Sequence, residues 1–371
     1  MAKPEATSTE LIRPKTAIVG IFGPHNRMRN PQYYYDEFVS LVNTFGEGYD
    51  ESYFTKVRTI DNNHFFTKGK LEELTKFCID NEIKQVIFSE PLSPVQERNL
   101  EDALCCPVMD RENLILNIFS NSAKTAEGKI QTEIAVIEFM RTRLVGKGKE
   151  FAQQSGFIGT RGPGETYKEE IKRHFADKTR QARKKLEALQ NARVVQRKQR
   201  LETNTPLISI IGYTNAGKSS LLNRLTKSDI LAEDKLFATL DTTTRELFLD
   251  HKRKYLISDT VGFISNLPHN LIAAFKSTLD ELTFAHLLLH VVDVSNPSWE
   301  DQIDVVNETL RDLGVSTKPV MYVFNKMDKL SSEEREALQE RLAEYTPAVF
   351  IHTMSKEGSA PLLEAIKKYA F

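Results

Sequence analysis

Four short stretches carry residue types and spacings that could do chemistry. Gly212-Tyr213-Thr214-Asn215-Ala216-Gly217-Lys218-Ser219 spells GxxxxGKS, and Ser220 follows it. In this pattern Gly212 and Gly217 let the main chain wrap closely around a polyphosphate, so that successive N–H groups and a helix N-terminus face the anion. Lys218 then reaches the outer phosphates and the Ser219 hydroxyl binds magnesium. Asp259-Thr260-Val261-Gly262 is a DxxG sequence. Its carboxylate suits magnesium held through water, and the Gly262 N–H suits a terminal phosphate whose loss it would sense. Asn325-Lys326-Met327-Asp328 is NKxD. The Asp328 carboxylate can accept from the N1–H and 2-amino group of guanine, whereas adenine offers no donors there and would leave it unpaired. Asn325 and Lys326 would brace the loops and cover the base. In Met354-Ser355-Lys356-Glu357-Gly358, backbone N–H groups could meet the guanine oxygen. Each of the later motifs alone is weak. All four in this order imply a magnesium-dependent site that binds GTP and hydrolyses it to GDP and phosphate.

What is missing is informative. Phe263 follows Gly262, where many small GTPases carry the glutamine that orients the attacking water. A phenyl ring cannot do so, which implies slow intrinsic turnover and a partner that completes or reorders the site. Two other classes compete. A nucleotide-dependent kinase or ligase is disfavoured, because NKxD selects guanine and no acceptor-substrate site is evident. An RNA-remodelling NTPase that also binds ATP through the N-terminal region is the main alternative. Phe66-Thr67-Lys68-Gly69-Lys70 has a lysine and a glycine there, but lacks the second glycine and the hydroxyl of a phosphate loop.

These motifs need elements to position them. Leu207–Ile211, Lys254–Ser258, Val320–Phe324 and Ala348–His352 read as strands, each running into one motif, and residues from Ser220 to Leu225 read as a helix. Loops at the carboxyl ends of one parallel sheet are where such folds bind ligands. Upstream, Thr16–Phe22, Thr55–Ile60, Lys84–Phe88 and Val108-Met109 read as strands. They alternate with helical stretches Tyr33–Phe45, Lys70–Asn81, Val95–Leu104 and Asn113–Asn121, the pattern of a small parallel α/β layer. Ile130, Ile134, Ile137 and Leu144 fall at helical spacing over Lys129–Val145. A second long helix is expected from about Tyr167 to about Arg200, with Ile171, Phe175, Ala182, Leu186 and Leu189 as its packing stripe. Between them, Gly146–Glu165 contains Gly156, Gly159, Arg161, Gly162, Pro163 and Gly164, which read as a loop contacting a ligand or RNA. The second helix is strongly basic. Residues 172–200 hold eleven Lys or Arg and two Asp or Glu, a net of +9. Such density suits nucleic-acid phosphate, with Arg161, Arg173, Arg180, Arg183, Lys184 and Lys185 as the candidate contacts.

Expected architecture is therefore α/β throughout. Polar residues 1–15 precede a small α/β domain (16–125), a long antiparallel helical hairpin with the glycine-rich loop (126–203), and a C-terminal P-loop GTPase domain with a mostly parallel sheet (204–371). The 371 residues, 40% apolar, suffice for two or three domains, and a net charge of −1 excludes nothing by itself because local runs cancel. Three cysteines, Cys78, Cys105 and Cys106, make no disulfide framework and no zinc spacing. No signal core and no stretch of membrane-span length occur, which points to a cytoplasmic protein.

Beyond the separate motifs, the segment from about Leu207 to Phe371 resembles the translation-factor-related class of P-loop GTPases. Phe237-Ala238-Thr239-Leu240-Asp241-Thr242-Thr243-Thr244-Arg245 resembles the first switch of the Obg–HflX superfamily. Ser93–Glu101, Glu127–Glu133 and Gly159-Thr160-Arg161-Gly162-Pro163-Gly164-Glu165 are similar to HflX, a ribosome-associated GTPase family. The resemblance covers nearly all of the chain after Thr16. It implies binding to the large ribosomal subunit and its rRNA, ribosome-stimulated hydrolysis, and splitting of stalled or stress-damaged ribosomes. It also implies a protein monomeric when free, cytoplasmic with a minor membrane-associated fraction. By the same comparison Thr239 closes over magnesium and the γ-phosphate, and Asn215 helps hold a potassium ion beside the phosphates. The chain departs from the family pattern at Thr166–Glu170, at Asp241-Thr242 in place of Asp-Pro, at Met354-Ser355-Lys356 in place of the usual Ser-Ala base loop, and in ending with the helix from Pro361.

Overall fold

The computed structural model describes residues 13–23, 30–46, 48–143, 163–202, 205–226, 236–237, 243–249, 254–267, 271, 281–355 and 357–369. It divides into two compact units. One takes in residues 1–27 and 34–114, and the other residues 28–33 and 115–371.

In the first unit the alternation of apolar runs and amphipathic stretches produces β1 (Thr16–Phe22), α1 (Pro31–Phe45), β2 (Glu51–Lys56), α2 (Lys68–Asp80), β3 (Gln85–Phe88), α3 (Pro94–Leu104), β4 (Val108–Met109) and the start of α4 (Arg111–Ser122). The four strands form a parallel sheet in the order β2-β1-β3-β4. Ala17, Val19, Ile21, Val86 and Phe88 share its core with Leu74, Leu100 and Leu104 of the helices. Helix α3 starts where the sequence dictates. Ser93 Oγ accepts from Gln96 N at 3.2 Å, Gln96 Oε1 accepts from Ser93 N at 2.9 Å, and Pro94 stands at the first helical position.

One strand differs from expectation. β2 is Glu51–Lys56 rather than Thr55–Ile60, pairing Ala17 with Glu51 through to Phe22 with Lys56. It is an edge strand whose outward side chains stay in solvent, Phe54 among them, so no apolar run marks it. Val57–Ile60 instead leads into a turn in which Asp61 Oδ1 accepts from Asn63 N and His64 N at 2.8 and 2.7 Å.

The second unit contains α5 (Ala126–Arg143) and α6 (Pro163–Glu202), which pack on each other. Ala182 and Thr179 of α6 are buried, while Ile171, Phe175, Leu186 and Leu189 are partly so. The described part of the expected Gly146–Glu165 loop is already helical. Pro163 opens α6, a position where its missing N–H is no loss, and Gly164 and Glu165 lie in the helix. The rest of that loop, Arg161 included, lies outside the described residues.

The remaining elements are β5 (Leu207–Gly212), α7 (Lys218–Thr226), β6 (Thr243–Phe248), β7 (Lys254–Asp259), α8 (Glu281–Phe284), β8 (Leu287–Asp293), α9 (Trp299–Asp312), β9 (Val320–Asn325), α10 (Ser332–Leu342), β10 (Ala348–Phe350) and α11 (Ala360–Lys368). Their six-stranded sheet runs β10-β9-β8-β5-β7-β6. Only the β6–β7 pairing is antiparallel. Strands β5 and β8, flanked on both sides, read as continuous apolar runs because both faces are covered. No helix among the described residues is long and apolar enough to cross a membrane.

Candidate functional site

Three of the four motifs begin where a parallel strand ends, β5 at Gly212, β7 at Asp259 and β9 at Asn325. The fourth follows the short β10 by way of Ile351 and His352. The sheet register brings these ends together. Ile210 pairs with Asp259, Gly212 with Val291, and Asp293 with Asn325.

Residues Tyr213–Gly217 form a turn that leads directly into α7. Gly217 has φ +93°, and a Cβ there would lie 2.4 Å from Asn325 Nδ2. Backbone sterics and the close approach therefore both demand glycine. Asn325 Nδ2 in turn donates to Ala216 O at 2.9 Å, so the NKxD asparagine holds the phosphate loop from its far side. Lys326 Nζ donates to Asn215 O at 2.9 Å and lies 2.6 Å from Asp293 Oδ2. Asn215 is exposed and left-handed, with φ +61°. Tyr213 is buried; its hydroxyl accepts from Ser265 N at 2.8 Å and shares a 2.7 Å hydrogen bond with Ser265 Oγ.

Lys218 is 6% exposed and its Nζ donates to Tyr213 O at 2.7 Å. Burial pushes its amine down to about 8, and the Asp259 carboxylate pulls it back up. Asp259 is fully buried. Its Oδ2 accepts from Ser219 Oγ at 2.8 Å and its Oδ1 from Thr260 N at 3.0 Å, while Thr260 Oγ1 donates to Ile210 O at 2.7 Å. Hydroxyl and carboxylate thus stand side by side, two hard oxygen donors of the kind magnesium takes when phosphates and water supply the rest. A Cβ on Gly262 would lie 3.0 Å from Lys218 Nζ, so that backbone and the amine face the same small space. Val261 beside it is buried. Thr214 Oγ1 and Asn325 Oδ1 are buried with no hydrogen-bond partner among the described residues. Orphaned polar atoms of this kind are expected where a ligand completes a site.

Phe263 is 2% exposed. Its backbone is tied to the phosphate loop, N donating to Gly212 O at 3.2 Å and O accepting from Thr214 N at 2.8 Å. Asp328 stands exposed on a short helical turn, Met327–Lys329. Met354 is exposed, and Ser355 Oγ accepts from Gly358 N at 3.2 Å. Ser220 lies in the first turn of α7. Phe237, expected beside the nucleotide, has φ +57° and buries its ring against Phe119 of α4, centroids 4.5 Å apart. Ala238, Thr239 and Lys356 lie outside the described residues. On α6, Arg173, Lys184 and Lys185 are exposed, Arg180 pairs with Asp177 at 2.6 Å, and Arg183 with Glu138 at 2.7 Å.

Two contributors were missed from sequence. Asp293 ends β8 level with Asn325 and anchors Lys326. A lone carboxylate closing the apolar run Leu287–Val292 was the available signal. Arg224, on α7, reaches the loop after β10, a contact across 129 positions that no local pattern announces.

A parallel sheet with a phosphate loop, DxxG and NKxD at successive strand ends defines the class, the P-loop GTPases. Three family models match in order. They are described as GTP-binding GTPase N-terminal over residues 32–120, GTP-binding GTPase Middle Region over 122–200, and 50S ribosome-binding GTPase over 207–326. The chain is 44% identical over 320 residues to GTPase HflX of Caldanaerobacter subterraneus, covering 85% of this chain and 72% of that protein. It is 47% identical over 293 residues to GTPase HflX of Lacrimispora saccharolytica, covering 79% and 69%. With GTPase HflX of Escherichia coli it shares 38% over 331 residues, covering 89% and 77%. The chain belongs to the GTPase HflX family. In fold it is similar to SsGBP, solved as a GDP complex, with TM-score 0.50 and 24% identity over 95% of this chain and 98% of that one.

Proposed function

We propose that this protein is a GTP-switched factor that binds the large ribosomal subunit, hydrolyses GTP when bound there, and splits stalled or stress-damaged ribosomes. The observation that carries the nucleotide part is the convergence of Lys218, Ser219 and Asp259 beneath the phosphate loop, with NKxD bracing that loop through Asn325 and Lys326.

Phosphoryl transfer to water depends on positioning and charge neutralisation more than on covalent chemistry. Lys218 and the N–H groups of residues 213–219 would hold the β- and γ-phosphates. Ser219 and Asp259, joined by Thr239, would hold magnesium, which supplies further charge neutralisation when bound. Gly262 would report the γ-phosphate, and Asp328 with the loop at Met354–Lys356 would read guanine. Potassium beside Asn215 would add positive charge near the same phosphates. With Phe263 buried where a water-orienting glutamine would stand, the attacking water needs help from outside the chain.

The basic face of α6 and the glycine-rich segment before it are the proposed rRNA contacts, which leaves residues 16–125 as a separate α/β domain and 204–371 as the switch. A ribosomal partner places the protein in the cytoplasm. The match of residues 207–326 to the 50S ribosome-binding GTPase family supports the ribosomal partner. Sucrose-gradient sedimentation with ribosomal subunits tests it. Co-migration with the large subunit in a non-hydrolysable GTP analogue but not in GDP is expected, and equal sedimentation in both states would refute the switch.

A further inference from the structure

The helix that presents Lys218 and Ser219 also grips the loop expected to meet the base. From the last turn of α7, Arg224 Nε donates to Thr353 O at 3.2 Å, and Nη2 donates to Thr353 O at 2.9 Å and to Met354 O at 3.0 Å. Thr353 and Met354 follow β10, a strand of only three residues whose single sheet neighbour is β9. Within the loop, His352 N donates to Gly358 O at 3.2 Å and Gly358 N donates to Ser355 Oγ at 3.2 Å. The Arg224 guanidinium links this loop to helix α7, and its planar fork holds two successive carbonyls at once.

We infer that Arg224 is a positioning residue for guanine recognition, a clamp that fixes the loop at residues 353–355 so that its backbone N–H groups meet the base oxygen. This rests on the nucleotide site proposed above. The main-chain carbonyls of Thr353 and Met354 point back to Arg224, which orients the peptide groups that follow. Those N–H donors favour the O6 acceptor of guanine and disfavour the 6-amino donor of adenine. Asp328 reads the adjacent N1–H and 2-amino donors from its own turn, where Met327 N donates to Ile351 O at 3.3 Å. The two halves of base recognition thus rest on different contacts, the Arg224 fork for one and the Met327–Ile351 hydrogen bond for the other. Helix α7 joins one of them to the phosphate loop.

The halves can be separated with nucleotide analogues, because inosine keeps O6 and N1–H and loses only the 2-amino group. Release of a fluorescent GDP derivative by the full chain, with competition by GDP, IDP and ADP, reads both. Hydrogen bonds from a charged group carry roughly 1.5–3 kcal/mol. Arg224→Ala is therefore expected to release GDP at least about tenfold faster and to narrow the preference for GDP over ADP. The preference for GDP over IDP, set by Asp328, should remain. Arg224→Lys, which can reach one carbonyl, should recover part of the loss, and melting without nucleotide shows whether each variant is folded. Unchanged release and unchanged ADP discrimination in Arg224→Ala, while Asp328→Asn alters base preference, would overturn the clamp and leave the guanine site standing. Equal loss of the IDP and ADP preferences would also overturn it, since that pattern marks general damage. Wild-type protein that shows no preference for GDP over ADP would overturn the site assignment and the clamp with it.

Discussion

Two sheets in one chain, one parallel and one mostly so, put polar residues at their strand ends to different uses. In the four-stranded sheet, Ser89, Asp110 and Arg111 make their contacts within the fold. Ser89 Oγ accepts from Ile21 N at 2.8 Å, and Ser89 O accepts from Tyr34 OH at 3.0 Å. Asp110 accepts from Leu92 N at 2.9 Å and Asn113 N at 2.8 Å, while Arg111 pairs with Glu37 at 2.5 Å. In the six-stranded sheet the strand ends carry a buried lysine lowered in pKa and a fully buried aspartate beside a serine hydroxyl. The same topology holds structural hydrogen bonds in one place and gathers an amine, a hydroxyl and a carboxylate in the other. The loop sequence makes the difference, because Gly217 and the turn around it turn backbone groups toward a ligand rather than toward the sheet.

The sharpest way to break this contrast is Lys218→Ala. It should lower GTP hydrolysis by about a hundredfold or more, as expected when a preorganised charge is removed from a reacting group, and phosphate release measures it. Activity near wild type would mean that the buried amine is structural like its counterparts in the other sheet. Next in size, Asp328→Asn should weaken GTP and favour XTP by roughly a hundredfold in relative affinity, since the amide can donate to the second oxygen of xanthine. Competition binding reads this, and an unchanged base preference would misplace the base-reading residue.

Ser89→Ala probes the other sheet. It leaves the Ile21 N–H buried without its acceptor and should cost about 1–3 kcal/mol of stability in chemical unfolding. GTP turnover per folded molecule should not change, and a large loss would show that this strand end also serves the reaction. Smallest is a proton effect. The Lys218 amine titrates near 8 in the protein alone against an ordinary 10.5. Between those values the unfolded chain binds a proton that the folded chain lacks, so stability rises with pH across the window. A bound polyphosphate favours the charged amine, so nucleotide binding at about pH 9 should take up part of a proton. Calorimetry in buffers of different ionisation enthalpy measures this; no uptake would mean the amine is already charged.

Much of this was legible in the sequence because the relevant spacing is local. Gly212 to Ser219, Asp259 to Gly262 and Asn325 to Asp328 are short runs behind apolar strands, and each begins at or beside a strand end. Edge strand β2 was misplaced because half of its side chains face solvent and lack the apolar signature. Asp293 and Arg224 were invisible for a different reason. Their roles come from contacts with residues far along the chain, Lys326 and Thr353, which the sheet order alone brings near. Phe263 was legible as a missing glutamine. That its backbone joins the phosphate loop to the residue after DxxG needed the register.

The central claim is that this chain holds a guanine nucleotide site whose hydrolysis waits for a ribosomal partner. Single-turnover phosphate release from GTP, with and without purified large ribosomal subunits, tests it most directly. Slow release from the protein alone and a rate at least about tenfold higher with subunits are predicted, whereas equal rates in the two reactions would contradict it.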